Sequence, residues 1–262
     1  MGSGTCLHRS PNFTPTRPTI EKLSFTIMEK AGNSDHSHSE GYAGGRALDH
    51  SISVDTQRAF PVYHRKLGNP TPLGLFSFAT TILVLSLYNA GARDINVPNV
   101  VVSMAMGVGG LCQLLAGMWE YATGNTFGAT AFSLYGGFWF SFGLIYWPGS
   151  GILAAYEGEA ESQLSSALGI YLVAWTVVTL IMFGTTFKSS IALVSTFFFL
   201  LVTFMLLTIG QFTASVAVTK AGGILGCVTA FLALYTGAAG LYSPDACYFV
   251  LPVGDLTRSA GP

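Results

Sequence analysis

Six apolar stretches with no charged side chain in their interior constrain the fold of this chain more than any other feature. They lie at 73–91, 97–118, 126–147, 164–184, 189–211 and 221–242. Each has about 20 residues, the length at which an α-helix crosses ~30 Å of hydrocarbon. A charge at the centre of such a helix costs about 2.5–3.5 kcal/mol, and the stretches do not alternate as β-barrel strands do. The sequence therefore predicts an all-α integral membrane protein with six transmembrane helices in a bundle.

Residues 1–68 differ in composition from the rest of the chain. They hold all five histidines and eight of the twelve Lys and Arg residues, and they show no sustained apolar period. This predicts a disordered N-terminal tail at 1–68, a six-helix transmembrane domain at 69–245 and a short C-terminal tail at 246–262. Because Arg58, Arg65 and Lys66 precede the first helix and the loop after it has only Arg93, both termini are predicted to be cytoplasmic.

The chain lacks the residue patterns on which most enzymes depend. No His, Asp or Glu lies at mid-span to act as a base, and there is no phosphate-binding loop or Gly-x-Ser-x-Gly motif. The spacing of Cys6, Cys112, Cys227 and Cys247 matches no metal-binding or CxxC pattern. We therefore predict that the protein is not an enzyme and that it binds no metal and no cofactor. The formal net charge of −1 gives no indication of nucleic-acid binding.

Polar groups inside the uncharged helices are the remaining candidates for a path across the membrane. The amide of Gln113 needs a partner in lipid, so it either bonds a neighbouring helix or lines a pore. Asn125 can cap the third helix, and Thr130 shares a helix face with Ser133 and Gly137. We predict Gln113, Thr130 and Asn125 as possible pathway-lining residues, with ordinary helix packing as the alternative.

The start of the first helix is a candidate mouth for that path. Asn69, Pro70 and Pro72 form an extended lead-in, and a proline in the first turn costs no hydrogen bond. A helix start has unpaired N–H groups and about half a positive charge, which attract a carboxylate without a buried cation. Asn69, Pro70 and Pro72 are therefore predicted to form the site where a small carboxylate arrives.

Three blocks of sequence, in this order, resemble the acetate uptake transporter family. Its signature is Asn-Pro-(Ala/Val)-Pro-(Leu/Phe)-(Gly/Ala)-Leu-x-(Gly/Ser/Ala)-Phe. The matching residues are Asn69-Pro70-Thr71-Pro72-Leu73-Gly74-Leu75-Phe76-Ser77-Phe78, followed by blocks at 124–128 and 130–139. Thr71 departs from the pattern, and as a near-isostere of Val it is expected to do little harm. The resemblance covers 69–245, and the long tail is more like that of fungal than of bacterial members.

The resemblance implies both an activity and a set of site residues. It implies transport of acetate and related short monocarboxylates, and possible transport of succinate, with proton coupling, across the plasma membrane. Each protomer of a homo-hexamer would have its own pathway. The narrowest point would be formed by Phe78, Tyr135 and Leu200. Phe and Leu would exclude hydrated ions, and the tyrosine hydroxyl would bond a passing carboxylate.

Two other functions remain open at this point. Members of the family have been linked to ammonium export, although a cation path usually has acidic rings or aromatic cages, and the six stretches contain no acid. The third hypothesis is a membrane sensor of acid stress that transports nothing and signals through its tail.

Overall fold

The structure, a computed structural model, describes residues 67–95, 97–244 and 247–257. The N-terminal tail predicted to be disordered lies outside these residues, except for its last two positions. The described chain forms six long helices and no regular strand, which confirms the predicted fold class. They are α1 (Thr71–Asn89), α2 (Val100–Thr123), α3 (Thr126–Tyr146), α4 (Glu161–Thr185), α5 (Ile191–Thr213) and α6 (Val216–Leu241).

Five of these helices are long and apolar enough to cross a membrane, and α3 is the exception by composition. Its 21 residues contain no charge, but its glycines, serines, tyrosines and tryptophan lower its mean hydropathy. Exposed large apolar side chains occur along the bundle, for example Ile170, Ile181 and Phe231. Apolar surface on this scale indicates contact with lipid or with other protein chains. The protein is therefore a multi-pass membrane protein.

Two predicted helix boundaries are wrong, and both errors concern charged residues. The second apolar stretch, predicted to end at 118, continues as α2 to Thr123, and Gly124 with a φ of 82° ends it in the left-handed conformation that favours glycine. Glu120 consequently lies within α2, and only 1% of its surface is exposed. Lys220, which precedes the predicted stretch 221–242, lies within α6 because this helix begins at Val216, and its side chain is exposed.

Small residues bring α6 into close contact with α1. They recur every three or four positions along one face of α6, namely Gly223, Gly226, Ala230, Ala233, Gly237 and Gly240. A Cβ atom at Gly223 would lie 2.5 Å from the backbone nitrogen of Ala90, and one at Gly240 would lie 3.0 Å from Pro72. Glycine therefore lets the two backbones approach along the whole length of α1.

A wide helical turn in α2 shapes its contact with α3. Residues Ala105–Cys112 are π-helical, a form often found at functional sites. The glycines in this turn leave room for large side chains of α3, since a Cβ at Gly109 would lie 2.7 Å from the ring of Trp139. Directly after it, Gln113 and Glu120 lie on the buried face of α2.

The helices run alternately up and down, so the bundle has two ends. We call the end at which α1 begins the N-side. The described part of the predicted C-terminal tail, 247–257, returns to this end. There the N–H groups of Ile191 and Ala192, at the start of α5, donate to the carbonyls of Gly254 (2.8 Å) and Val253 (3.1 Å). These bonds satisfy two amides that a helix start otherwise leaves free.

Candidate functional site

Two cavities enter the bundle from its opposite ends. The N-side cavity, of about 620 Å³, is bordered by Thr71, Asn125 and Ser190, at or just before the starts of α1, α3 and α5. The opposite cavity, of about 100 Å³, is bordered by Asn89 and Gln211 near the other helix ends. The two cavities lie within one chain and approach each other in the core. Their lining is mostly apolar, with scattered hydroxyl and amide groups.

Phe78 and Leu200 line both cavities and so lie where these meet. Tyr135 lines the N-side cavity, and its ring centroid is 5.8 Å from that of Phe78 and 6.2 Å from that of Phe197. All four side chains are buried, with exposures of 2–6%. The helices α1, α3 and α5 each contribute to this section, which we call the narrow section. It consists of Phe78, Tyr135, Phe197 and Leu200.

The hydroxyl of Tyr135 already has a partner in α4. It lies 2.9 Å from Oγ1 of Thr179, which is itself 2.7 Å from the carbonyl oxygen of Trp175. Thr179 is fully buried. The hydrogen bond fixes the tyrosine ring between the two cavities. Thr179 therefore competes with a passing carboxylate, which the sequence predicts as a partner of this hydroxyl.

A buried carboxylate lies behind the wall of the N-side cavity. Oε1 of Glu120 accepts a hydrogen bond from the hydroxyl of Thr71 at 2.5 Å, and Oε2 accepts one from Nδ2 of Asn125 at 2.8 Å. Thr123 adds a longer contact to Oε2 at 3.4 Å. No Lys or Arg among the described residues forms an ion pair with it in this structure. Glu120 therefore joins the start of α1 to the start of α3 through neutral donors alone.

This carboxylate occupies the helix start that the sequence suggested as an anion site. The backbone N–H of Thr71 donates to Oδ1 of Asn69 (3.1 Å), and that of Gly74 to the carbonyl of Pro70 (3.2 Å). The positive end of α1 thus already has an anion nearby and part of its N–H groups satisfied. Thr71 is also more than an isostere of Val, since an Ala or Val there has no hydroxyl for Glu120.

The predicted lining residues have separate locations in the structure. Gln113 and Asn125 both line the N-side cavity, whereas Thr130 borders neither cavity and is half-buried. Asn69 is exposed and Pro72 is buried. Neither these two residues nor Pro70 lines the cavity, and Thr71 is the residue of this segment that does. Gln113 is 1% exposed, and its Oε1 has no hydrogen-bond partner among the residues that the structure describes.

The charged groups of the N-side cavity lie at its exposed rim. They are Lys188, just after α4, and Asp255 in the C-terminal segment. Hydrogen bonds from the backbone N–H and the hydroxyl of Thr257 lower the pKa of Asp255. Among the described residues, the rim therefore has one cation and one anion, and the interior beyond it is lined by neutral groups.

Sequence reasoning missed three residues of this site. Glu120 falls between the predicted stretches 97–118 and 126–147, although it lies seven positions after Gln113 and so on the same helix face. Phe197 precedes Leu200 by three positions, a spacing that places both on one face of α5. The contact of Thr179 with Tyr135 left no signal in the sequence, because nothing in one chain reveals which helices are neighbours.

Comparisons with known proteins connect this arrangement to a family. Residues 52–258 match the family described as GPR1/FUN34/yaaH. The chain is 50% identical over 200 residues to ammonia transport outward protein 2 of Saccharomyces cerevisiae, covering 74% of this chain and 71% of that protein. It is 45% identical to acetate permease A of Emericella nidulans, covering 74% and 68%.

Bacterial proteins are similar over a comparable region. The succinate-acetate/proton symporter SatP of Escherichia coli is 36% identical, with 72% of this chain and 97% of SatP covered. Among solved structures, the bacterial acetate channel SatP matches with a TM-score of 0.64 at 36% identity. That match covers 72% of this chain and all of the other.

Removing the buried carboxylate should destabilise the fold. In Glu120→Ala, the donors of Thr71 and Asn125 lose their acceptor, at a cost of about 1–3 kcal/mol. Glu120→Gln keeps the shape and one acceptor oxygen, so we expect a smaller loss. Thermal unfolding of the purified proteins in one detergent measures both. Glu157→Ala, in an exposed loop, is the control, and an unfolding temperature of Glu120→Ala equal to that of this control contradicts the prediction.

Proposed function

The chain belongs to the GPR1/FUN34/yaaH family, and we propose on this basis that it transports acetate and related short monocarboxylates across the membrane. The observation that carries the proposal is the pair of cavities that meet at Phe78 and Leu200 within one chain. The similarity to acetate permease A and to the acetate channel SatP supports acetate as the substrate.

We propose the narrow section as the constriction of this pathway. Phe78 and Leu200 would exclude water and hydrated ions, because they offer no group to replace a hydration shell. Tyr135 is the polar member of the section. Lys188 at the rim of the N-side cavity would attract the carboxylate to that mouth by its charge. Asn69, Pro70 and Pro72 would shape the mouth from outside, next to Thr71.

Proton coupling is part of the same proposal. A carboxylic acid with a pKa near ~4.3 is neutral in only about one molecule in a few hundred at pH 7. Transport of the acid together with a proton would let an inward pH gradient drive uptake. The name of SatP as a succinate-acetate/proton symporter supports this coupling, and also supports succinate as a further substrate.

A second candidate is export of ammonia or ammonium. The relative at 50% identity is named ammonia transport outward protein 2, and the aromatic rings of the narrow section would suit a cation. We favour acetate because acetate permease A and the acetate channel SatP are both similar to this chain, whereas the described rim holds one cation and one anion. An ammonium gradient across the vesicles described next, followed by an internal pH indicator, tests this alternative.

Purified protein in lipid vesicles should take up labelled acetate. We expect the initial rate, after subtraction of empty vesicles, to rise when the outside is made more acidic than the inside. Uptake equal to that of empty vesicles, both at equal pH and with the more acidic outside, contradicts the proposal. That result would instead favour a sensor that transports nothing.

Shortening Leu200 should widen the constriction. We expect Leu200→Ala to raise the rate of succinate uptake relative to acetate uptake severalfold, since the side chain lines both cavities. Leu201→Ala is the matched control, because Leu201 is the next residue of α5 and borders neither cavity. An unchanged ratio in Leu200→Ala, or an equal rise in Leu201→Ala, rules out this role for Leu200.

We further propose a homo-hexamer in the plasma membrane with both termini in the cytoplasm. The exposed apolar surface of the helices supports contact between protomers. Light scattering of the detergent-solubilised protein, corrected for bound detergent, should give six times the mass of one 27.7 kDa chain. The mass of a single chain would contradict the hexamer while leaving transport untouched.

A further inference from the structure

Most hydroxyl groups of the N-side cavity direct their hydrogens into the protein. A hydroxyl has one hydrogen to donate and two lone pairs that accept. Four threonines of the lining donate to a carbonyl of their own helix at 2.7–2.8 Å, namely Thr185, Thr186, Thr196 and Thr236. The hydroxyl of Thr71 donates to Glu120 and that of Thr257 to Asp255. All of these lining oxygens keep only lone pairs for a passing molecule.

The hydroxyl of Tyr135 also directs its hydrogen into the protein, in its case toward the hydroxyl of Thr179. The carbonyl of Trp175 can only accept, so the single hydrogen of the Thr179 hydroxyl goes to it. The hydrogen in the bond between Tyr135 and Thr179 must then come from the tyrosine. The hydroxyl of Tyr135 therefore presents an acceptor, and no donor, to the narrow section.

Other polar groups reinforce this pattern, with one exception. Gln113 is different, because its amide can both accept and donate; it lines the N-side cavity outside the narrow section, and its Oε1 has no partner among the described residues. On the other side of the narrow section, the hydroxyl of Ser141 donates to the carbonyl of Phe138. Tyr171, which lines the opposite cavity, is 2.7 Å from Ser141 and 3.2 Å from that carbonyl, so its hydrogen is also used within the protein.

Donors for a carboxylate are available at the N-side rim. Lys188 carries three N–H donors, and Ser189 and Ser190 are the lining hydroxyls without a carbonyl or carboxylate acceptor in the described structure. In the part of the chain that the structure describes, Asp255 at the rim and Glu120 behind Thr71 are the other charged side chains near this route. Among the described residues, the aromatic side chains that contact the ring of Tyr135 are Phe78, Trp175 and Phe197, and none of them is charged.

We propose that the substrate crosses the narrow section as the undissociated acid, and that Thr179 is the positioning residue that enforces this selection. An undissociated acid has one O–H to donate, which matches an acceptor-only wall. A carboxylate has no donor, so it would leave its own oxygens unpaired at a section without donors, and this desolvation is costly. The inference rests on the proposed function and adds which chemical species passes.

The proposal requires that transport carries no net charge. Vesicles containing the full wild-type chain are prepared with equal pH on both sides, and a potassium diffusion potential makes the interior positive. We expect the initial rate of labelled acetate uptake, corrected for empty vesicles, to be the same with and without the potential. A transported anion would instead be concentrated tenfold for each 59 mV. A rate that rises with the interior-positive potential overturns the proposal.

Two substitutions of one residue test the role of Thr179. In Thr179→Val the tyrosine hydroxyl loses its acceptor and becomes free to donate into the narrow section. We expect this variant to admit the anion and to carry up to one negative charge per acetate. Thr179→Ser keeps the hydroxyl and should stay electroneutral. If Thr179→Val carries as little charge per acetate as Thr179→Ser, Thr179 does not select the species.

The measured charge separates this role from a structural one. Damage to packing lowers the rate in Thr179→Val but leaves the charge per acetate at zero. If Thr179→Val does not reach the membrane, the wild-type measurement still tests the inference, because uptake that carries net charge overturns it. Acetate uptake that carries charge overturns the inference and leaves the proposed transport intact. No uptake above empty vesicles overturns the proposed function itself.

Discussion

The satisfaction of hydrogen-bond donors inside an apolar bundle is the constraint on which the rest of this structure depends. Lipid offers no acceptor, so each hydroxyl hydrogen must find one within the protein. The carbonyls of the helix one turn earlier are the nearest acceptors, and Thr196 and Thr203 use them in this way. A pathway built from such helices inherits walls that accept hydrogen bonds more readily than they donate them.

The buried carboxylate of Glu120 meets the same constraint by supplying acceptors to neighbouring donors. Glu120 brings acceptors to a place where α1 and α3 begin, and it receives the hydroxyl of Thr71 and the amide of Asn125. Gly128 makes room for this contact, because a Cβ there would lie 2.5 Å from Nδ2 of Asn125. The carboxylate is thus stabilised by hydrogen bonds from neutral groups instead of by a counter-ion. It also offsets the positive end of α1.

The fold was largely predictable because length and the absence of charge report directly on the membrane. The six helices appear where the apolar stretches predicted them. Glu120 is the exception, because a carboxylate in a sequence indicates a loop, whereas the hydrogen bonds from Thr71 and Asn125 stabilise it near the end of a helix. The π-helical turn at Ala105–Cys112 was not predicted either, since it reflects the fit of glycines against Trp139 of a neighbouring helix.

The candidate site was less predictable, and the reason is the direction of hydrogen bonds. Sequence alone identifies Tyr135 as a polar group in an apolar section, but it does not say whether the hydroxyl donates or accepts there. That depends on Thr179 in α4 and on the carbonyl of Trp175, which are brought to Tyr135 only by the packing of the helices. The same tyrosine beside a valine would be a donor and would suit the anion. In a bundle without fixed charges around the narrow section, the position of one hydroxyl hydrogen can therefore determine which form of the acid is accepted.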